Sequence, residues 1–383
     1  MMMRSFIQRA ARLALVAAVL APFTAGAQAS LSGQGFGFPT GQFSSRAQGT
    51  GGSVAEMDPL SPVNPATIGA FQTKILFFQL EPEYRSVTTI KGTEHTNTAR
   101  YPLVFGALPI GRNWVFSLGS SSLLDRTSTS AFQSIQVLNG VDSVPMTTTY
   151  HIDGGINDVR LAAAWSPRNW LRLGVGAHAI TGRNLVDLTQ TFEDTTKFQA
   201  FAQQIQLGYS GSAVSGGVQV TAANFTLAAS ARFGGNLRVS NEDTVLARAK
   251  VPNLFGGSIA YVGLANSAFA VRTSYSNWSE MGDLGNPGLN GVNGWDTSFG
   301  ADIAGPRIGN RIVFLRAGGR TRTLPFQAAG ETVRENSVSG GIGTGFGNGR
   351  VLTDLALIRS FRKVDFGATE RAWTLSFGIG VRP

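Results

Sequence analysis

The sequence predicts an all-β protein: a transmembrane antiparallel β-barrel of about 14 strands with an N-terminal plug (hatch) segment. Three observations predict it. From Thr73 onward the chain breaks into segments of about 11 to 18 residues in which apolar and polar residues alternate. The connections alternate between tight turns and longer, more polar loops, as in outer-membrane barrels. Finally, 48 glycines, 25 phenylalanines and only 14% charged residues suit strands with one apolar and one polar face. A soluble sandwich with Gly-rich turns also fits that composition, but it gives no reason for the loop lengths to alternate.

Residues 1–27 read as a secretory signal peptide. Arg4, Arg9 and Arg12 precede an apolar stretch from Leu13 to Ala21, followed by Ala25, Gly26 and Ala27. The apolar stretch is too short for a bilayer, which asks for roughly 20 residues. With those arginines removed, 29 basic residues stand against 23 acidic ones, about +6. The basic residues are dispersed, which argues against nucleic acid as a partner. Zero cysteines exclude disulfides, a lipidated N-terminus, thiolate metal sites and cysteine nucleophiles.

The strands are expected near 73–90, 95–110, 114–127, 150–166, 170–184, 203–220, 224–240, 247–263, 267–279, 294–305, 311–325, 332–347, 350–362 and 370–381. Each exceeds the ~9 to 11 residues that a tilted strand needs to cross hydrocarbon. Tight turns are expected at 109–113, 166–169, 221–224, 264–267, 305–310 and 347–349, and longer outer loops at 128–149, 185–202 and 280–293. An even strand number returns both ends to one side. Trp114, Trp165 and Trp170 abut short turns, while Trp278, Trp295 and Trp373 flank outer loops, as two interfacial aromatic girdles require. The last strand, Ala372–Val381, alternates cleanly and resembles the signal read by the barrel-assembly machinery, although the chain ends in Arg382-Pro383 rather than an aromatic residue.

Alternation also separates the two faces of the wall. In 170–180, Leu171, Leu173, Val175, Ala177 and Ala179 should meet lipid, and Arg172, Gly174, Gly176 and His178 the lumen. The same parity turns Arg100, Arg160, Arg232, Arg272, Asp302, Arg316, Arg320 and Asp354 inward, since a charge facing lipid at mid-depth costs about 2–4 kcal/mol. Those arginines either pair with inward carboxylates to stiffen the barrel or meet an anionic head group.

Residues 28–72 do not alternate, and Pro59, Pro62 and Pro65 forbid a central strand or a regular helix interior. Phe36, Phe38, Phe43 and Ile68 need a surface to pack on, which a plug inside the barrel 73–383 would supply. Here the chain resembles the FadL-type long-chain fatty-acid and hydrocarbon transporters: Gly51-Gly52-Ser53-Val54-Ala55 followed by Asn64-Pro65-Ala66 looks like their plug. Val251–Tyr261, Ser274–Ser279, Leu315–Gly319 and Ser337–Gly343 resemble four further stretches of that family.

The resemblance implies passive uptake of hydrophobic small molecules such as long-chain fatty acids across the outer membrane. The plug closes the periplasmic end, ligand binds in an apolar pocket near it, and a kinked third strand releases it sideways into the bilayer. Asn64, Pro65, Ala66, Gly119 and Ser120 are the candidate plug and gate residues, with Gly119 as the kink. Phe36, Phe38, Phe43, Arg100, Arg160, Arg172 and Arg316 are the candidate ligand-binding residues. A monomer is expected, in contact with outer-membrane lipid and lipopolysaccharide, without cofactor or metal. Catalysis is not expected: His95, His151 and His178 sit in separate segments, and no Gly-x-Ser-x-Gly elbow is present. The alternative is a barrel of the same superfamily serving as a secretion-system or structural component, since those carry the Asn-Pro-Ala plug too.

Overall fold

The computed structural model describes all residues except 1–35, 90–91, 139–141, 194–197, 283, 285–290, 310, 329 and 364–367. Fourteen antiparallel strands close into a barrel. They are β1 (Ile75–Thr89), β2 (Gly92–Ile110), β3 (Trp114–Asp125), β4 (Asp142–Arg168), β5 (Leu171–Phe192), β6 (Phe201–Ala222), β7 (Phe225–Asn241), β8 (Leu254–Tyr261), β9 (Ala268–Ser276), β10 (Gly294–Ile308), β11 (Arg311–Ala328), β12 (Glu331–Phe346), β13 (Val351–Lys363) and β14 (Thr369–Val381). β14 returns to β1, from Thr369 opposite Thr88 to Val381 opposite Leu76, so the sheet closes on itself.

Every one of the fourteen expected segments contains a barrel strand, and the six tight turns fall at one end. The differences lie at the other end. The loop expected at 128–149 is largely strand: Ser128–Leu138 pairs with Asp142–Ile152 of β4. β4 reaches 27 residues and β5 and β6 reach 22 each, where about 9–11 suffice to cross hydrocarbon, so this side of the wall stands far above the belt. These extensions scatter apolar residues such as Val144, Met146 and Phe201 among Ser, Thr and Gln without a long regular alternation, so alternation gave no sign of them. The segment expected at 247–263 is split in two. Pro252 has no N–H for the ladder, so Thr244–Lys250 pairs with the upper half of β7 and β8 with its lower half. Between them the Gly234 amide donates to Asn253 Oδ1 at 2.8 Å.

Side-chain direction follows the parity. Leu173, Val175, Leu118, Leu161, Leu227, Phe299 and Leu357 stand exposed on the outside, an apolar belt far larger than a water-soluble surface carries. Trp114, Trp165, Trp170, Trp295 and Trp373 are exposed with it. Trp278 is not, because the chain leaves β9 through a 3-10 turn, Trp278–Met281, that folds the indole into the lumen. Arg100, Arg160, Arg232, Arg272, Asp302, Arg316 and Asp354 are all buried inside.

Candidate functional site

Residues 36–71 lie inside the barrel. A short helix, Ser45–Gly49, is capped by Ser44, whose Oγ accepts from the Ala47 amide at 3.1 Å and donates to Asp58 Oδ2 at 2.5 Å. A 3-10 helix, Pro65–Ala70, is capped by Asn64. Its Oδ1 accepts from the Ala66 amide at 2.9 Å, and its Nδ2 donates to the carbonyls of Glu56 at 2.9 Å and of Val218 in β6 at 3.3 Å. Pro65, lacking an N–H, fits the first helical position. The Asn-Pro-Ala segment lies flat on Gly174 and Gly217, which face each other across β5 and β6. A methyl group on Gly174 would collide with the Ala66 backbone, and one on Gly217 with the Asn64 side chain.

The rest of this segment is pinned around the wall. Glu56 accepts from Ser230 Oγ at 2.7 Å and pairs with Arg272 at 3.2 Å. Arg46 meets Asp302 at 2.9 Å, the Ser45 amide donates to Gln79 at 3.0 Å, and Ser258 and Ser339 donate to the carbonyls of Ser53 and Gly49, each at 3.1 Å. A net 0.5–1.5 kcal/mol for each such bond makes ejection of the whole plug expensive. The stretch from Phe36 to Gln42 is held more lightly. Its contacts include a two-residue ladder, Phe38 opposite Asp125 and Pro39 opposite Leu124, and long bonds from Arg322 to the Pro39 carbonyl and from Gln42 to Ser122.

Beside that stretch lies a cavity of about 120 Å³, lined by Phe38, Phe43, Arg100, Arg232, Arg272, Arg320, Arg322, Arg362 and Trp278 among others. The guanidinium carbons of Arg85, Arg100, Arg322 and Arg362 lie 5.8, 5.5, 4.8 and 4.6 Å from the Phe38 ring centroid. Those of Arg272 and Arg320 lie 4.9 and 4.5 Å from that of Phe43. Carboxylates knit the arginines together: Arg100 pairs with Glu83 and Asp125, Arg322 and Arg362 share Glu335, and Arg272 and Arg320 share Asp296. An apolar pocket beside the plug is therefore not what the chain builds. Its mid-strand inward positions are arginine and acid, and the apolar inward residues gather towards the two ends. At the loop end Phe36 meets Trp278, Leu123, Tyr209 and Phe326, and at the short-turn end Ile68 and Phe71 of the plug pack with Ile75, Phe77, Leu103, Phe105 and Val115.

Of the seven candidate ligand-binding residues, three line this cavity: Phe38, Phe43 and Arg100. Phe36 belongs to the apolar roof. Arg160 donates to the Pro62 carbonyl, Arg172 lies beside Gly69 at the short-turn end, and Arg316 is tied to Asp302 and Asp354 at 3.1 and 2.7 Å. Sequence reasoning missed Arg322, Arg362 and their acidic partners. Their even spacing from Arg320 and Ser360 was the available signal.

The ladder of the wall is interrupted between β2 and β3. β2 and β3 pair from Ile110 opposite Trp114 to Leu103 opposite Ser121, and there the ladder ends. The next residue of β2, Pro102, has no N–H to continue it. Among the described residues the outward half of β2 pairs only with β1, and the vacated edge of β3 takes Phe38 and Pro39 of the plug. Gly41, with φ +70°, sits in the fork, where an added methyl group would press on the carbonyls of both Pro102 and Ser122. A cleft of about 190 Å³ opens there, lined by Thr98, Arg100, Ser122, Asp125, Thr127 and Asn157. The irregularity in β3 is a register shift between Ser122 and Leu124, followed by the break at 126–127. Gly119 and Ser120 lie in regular ladder below it. Gly119 opposes Phe105, whose Cβ leaves no room for another, so close approach rather than a kink accounts for this glycine.

One further polar chain runs along the inner wall across β4, β5 and β6. His178 Nδ1 bonds Asp158 at 2.8 Å and its Nε2 bonds Ser215 Oγ at 2.8 Å. The order matches a Ser-His-Asp relay, but Ser215 is mid-strand, paired with Gly176 on one side and Arg232 on the other. The surrounding amides are committed to the ladder, where they would not serve an oxyanion.

No protein-family model matches the chain, and no curated protein matches it. Solved structures do. A Pseudomonas aeruginosa FadL homologue superposes with a TM-score of 0.63 over 91% of this chain and 99% of its own, at 12% identity. The monoaromatic hydrocarbon channel CymD gives 0.55 over 89% and 97%, at 13% identity. The Pseudomonas putida toluene transporter TodX gives 0.55 over 89% and 98%, at 12% identity. At such identities the likeness is one of fold, a closed antiparallel barrel.

Proposed function

We propose that this FadL-type barrel is an outer-membrane channel for passive uptake of hydrophobic small molecules, exported by its signal peptide and inserted by the barrel-assembly machinery. The observation that carries the reading is the cleft between β2 and β3, set in an apolar-girdled wall beside the cavity and the lightly held end of the plug. A plug tied to the wall on many sides blocks the straight path, so a solute in the cavity leaves sideways. That exit suits an apolar solute, which gains about 25 cal/mol per Å² of surface on passing from water into lipid. Gating then needs only the stretch from Phe36 to Gln42 to shift, with Asn64, Pro65 and Ala66 staying in place as its anchor.

Size narrows the solute. A cavity of about 120 Å³ is well below the roughly 300–1,000 Å³ of pockets for larger ligands, and near the ~150 Å³ of an engineered apolar cavity that binds benzene. Compact molecules of one ring are favoured over long-chain fatty acids. The neighbours CymD and TodX are named for monoaromatic hydrocarbons and toluene, in agreement with that size.

Proteoliposomes loaded with the purified barrel test the reading. Labelled toluene should enter faster than into empty vesicles and faster than labelled palmitate. Equal entry with and without the protein would remove the channel function. The tall wall formed by Ser128–Leu138, β4, β5 and β6 favours a second reading, a secretion or scaffold component with a docking surface outside the membrane. Stable co-purification of a large partner together with absent toluene entry would select it.

A further inference from the structure

The cavity carries a chemical preference beyond apolarity. Phe38, a residue of the plug, is only 8% exposed, and guanidinium groups from four different strands surround its ring. The negative face of an aromatic ring attracts such cations, and the attraction grows when water is excluded. An aliphatic side chain of the same size would gain nothing from it. Phe38 is also the residue whose backbone bridges to the bare edge of β3, so its ring occupies the cage while its main chain covers the lateral fork.

A second, independent observation points to a charged group on the ligand. Arg232 lines the same cavity, is 6% exposed, and leaves both Nε and Nη2 buried without a hydrogen-bond partner. Among the described residues it makes one ion pair, Nη1 to Asp158 at 3.3 Å. Asp158 is also claimed by His178 at 2.8 Å, and Arg160 has no carboxylate in ion-pair range among the described residues. The other cavity arginines are knitted together by Glu83, Asp125, Glu56, Asp296, Glu335 and Glu370, whereas in this corner Asp158 alone serves Arg232 and His178 with Arg160 beside it, which leaves an excess of positive charge and two unused donors in fork geometry. Buried donors left unmade are costly, and a carboxylate is the acceptor such a fork fits.

We infer that the cavity is a site for a small aromatic carboxylate, whose ring takes the place of Phe38 among the arginines while its carboxylate bonds Arg232. Phe38 is then a built-in stand-in for the ligand, and ligand entry releases the segment that closes the fork. The inference rests on the channel reading and names a ligand class for its cavity; such an acid would leave through the fork in its neutral, protonated form, since its anion does not enter hydrocarbon.

Equilibrium dialysis of the purified barrel with labelled benzoate and cyclohexanecarboxylate, equal in charge and similar in size, tests it directly. Phe38→Ala should bind benzoate at least about tenfold more tightly than wild type, because no resident ring must be displaced, and about tenfold more tightly than it binds cyclohexanecarboxylate. Adding Arg232→Gln should remove most of the benzoate affinity. Arg232→Lys, which keeps the charge but not the fork, should restore only part of it. Heat-modifiable migration in gels checks that each variant is folded. Equal affinity for the two acids in Phe38→Ala, or unchanged benzoate binding with Arg232→Gln, would overturn the inference. Toluene entry into proteoliposomes is a separate readout. Toluene entry without benzoate preference defeats the substrate class alone, whereas absent toluene entry defeats the channel.

Discussion

Phe38 of the plug pairs in antiparallel register with Asp125, on the edge of β3 that β2 leaves bare once their ladder ends at Leu103 and Ser121. The plug thus completes the wall where β2 and β3 part, and Gly41 holds the fork between Pro102 and Ser122. A side chain at that glycine must push the segment out of the fork. Gly41→Val is therefore expected to raise single-channel conductance in planar bilayers while leaving the barrel's heat-modifiable migration unchanged. Conductance equal to wild type would mean that the segment does not seal the wall.

The Asn64 cap should behave as a unit. Asn64→Ala orphans the Ala66 amide and the carbonyls of Glu56 and Val218 inside the barrel, a loss of about 1–3 kcal/mol. Asn64→Asp keeps the acceptor but turns a carboxylate oxygen towards the Glu56 and Val218 carbonyls, so it should loosen the plug at least as much as Asn64→Ala. Limited proteolysis of the plug in the intact barrel, read as cleavage rate, measures this order. The same rate in all three would show that the cap does not fix the plug.

Arg272 and Glu56 join wall to plug with both side chains almost fully buried. Removing one partner from such a pair costs about 3–5 kcal/mol, because it strands the other charge. Arg272→Met should lower the midpoint of urea unfolding clearly, and the double variant Arg272→Met with Glu56→Gln should recover much of the loss. Additive losses in the double variant would show that the pair is not coupled.

Much of this barrel was legible because each strand crossing hydrocarbon must show an apolar face every second residue, and Leu171 to Ala179 do so without exception. Where that demand lapses, the reading lapses. The strand Ser128–Leu138 and the upper reaches of β4 rise beyond the apolar belt, where Ser, Thr and Gln interrupt the apolar residues and a strand looks like a loop. The site was legible by direction and illegible by partner. Parity turns Arg316 and Arg320 inward, but which acid each meets depends on register and diagonal reach, Asp302 directly opposite Arg316 and Asp296 two positions from the residue opposite Arg320. Gly119 shows the same limit, since a glycine cleared for Phe105 across the ladder reads in sequence like one that bends a strand.

Topology is open to a labelling test, because the chain contains no cysteine to interfere. Single cysteines at Gln190, high on β5, and at Asn348, in the tight turn after β12, should differ in intact cells. The first should react with a membrane-impermeant maleimide and the second only after lysis. The reverse pattern would invert the barrel in its membrane.

The central claim is that solute leaves through the cleft between β2 and β3. Thr98 and Thr127 line it from opposite sides, and cysteines at both positions can be bridged by a bifunctional methanethiosulfonate and freed again with reductant. Toluene entry into proteoliposomes is the measurement. Bridging should reduce it to near the level of empty vesicles, reduction of the bridge should restore it, and either single cysteine with the same reagent should leave it largely unchanged. Entry at the wild-type rate with the bridge fully formed would contradict the lateral route.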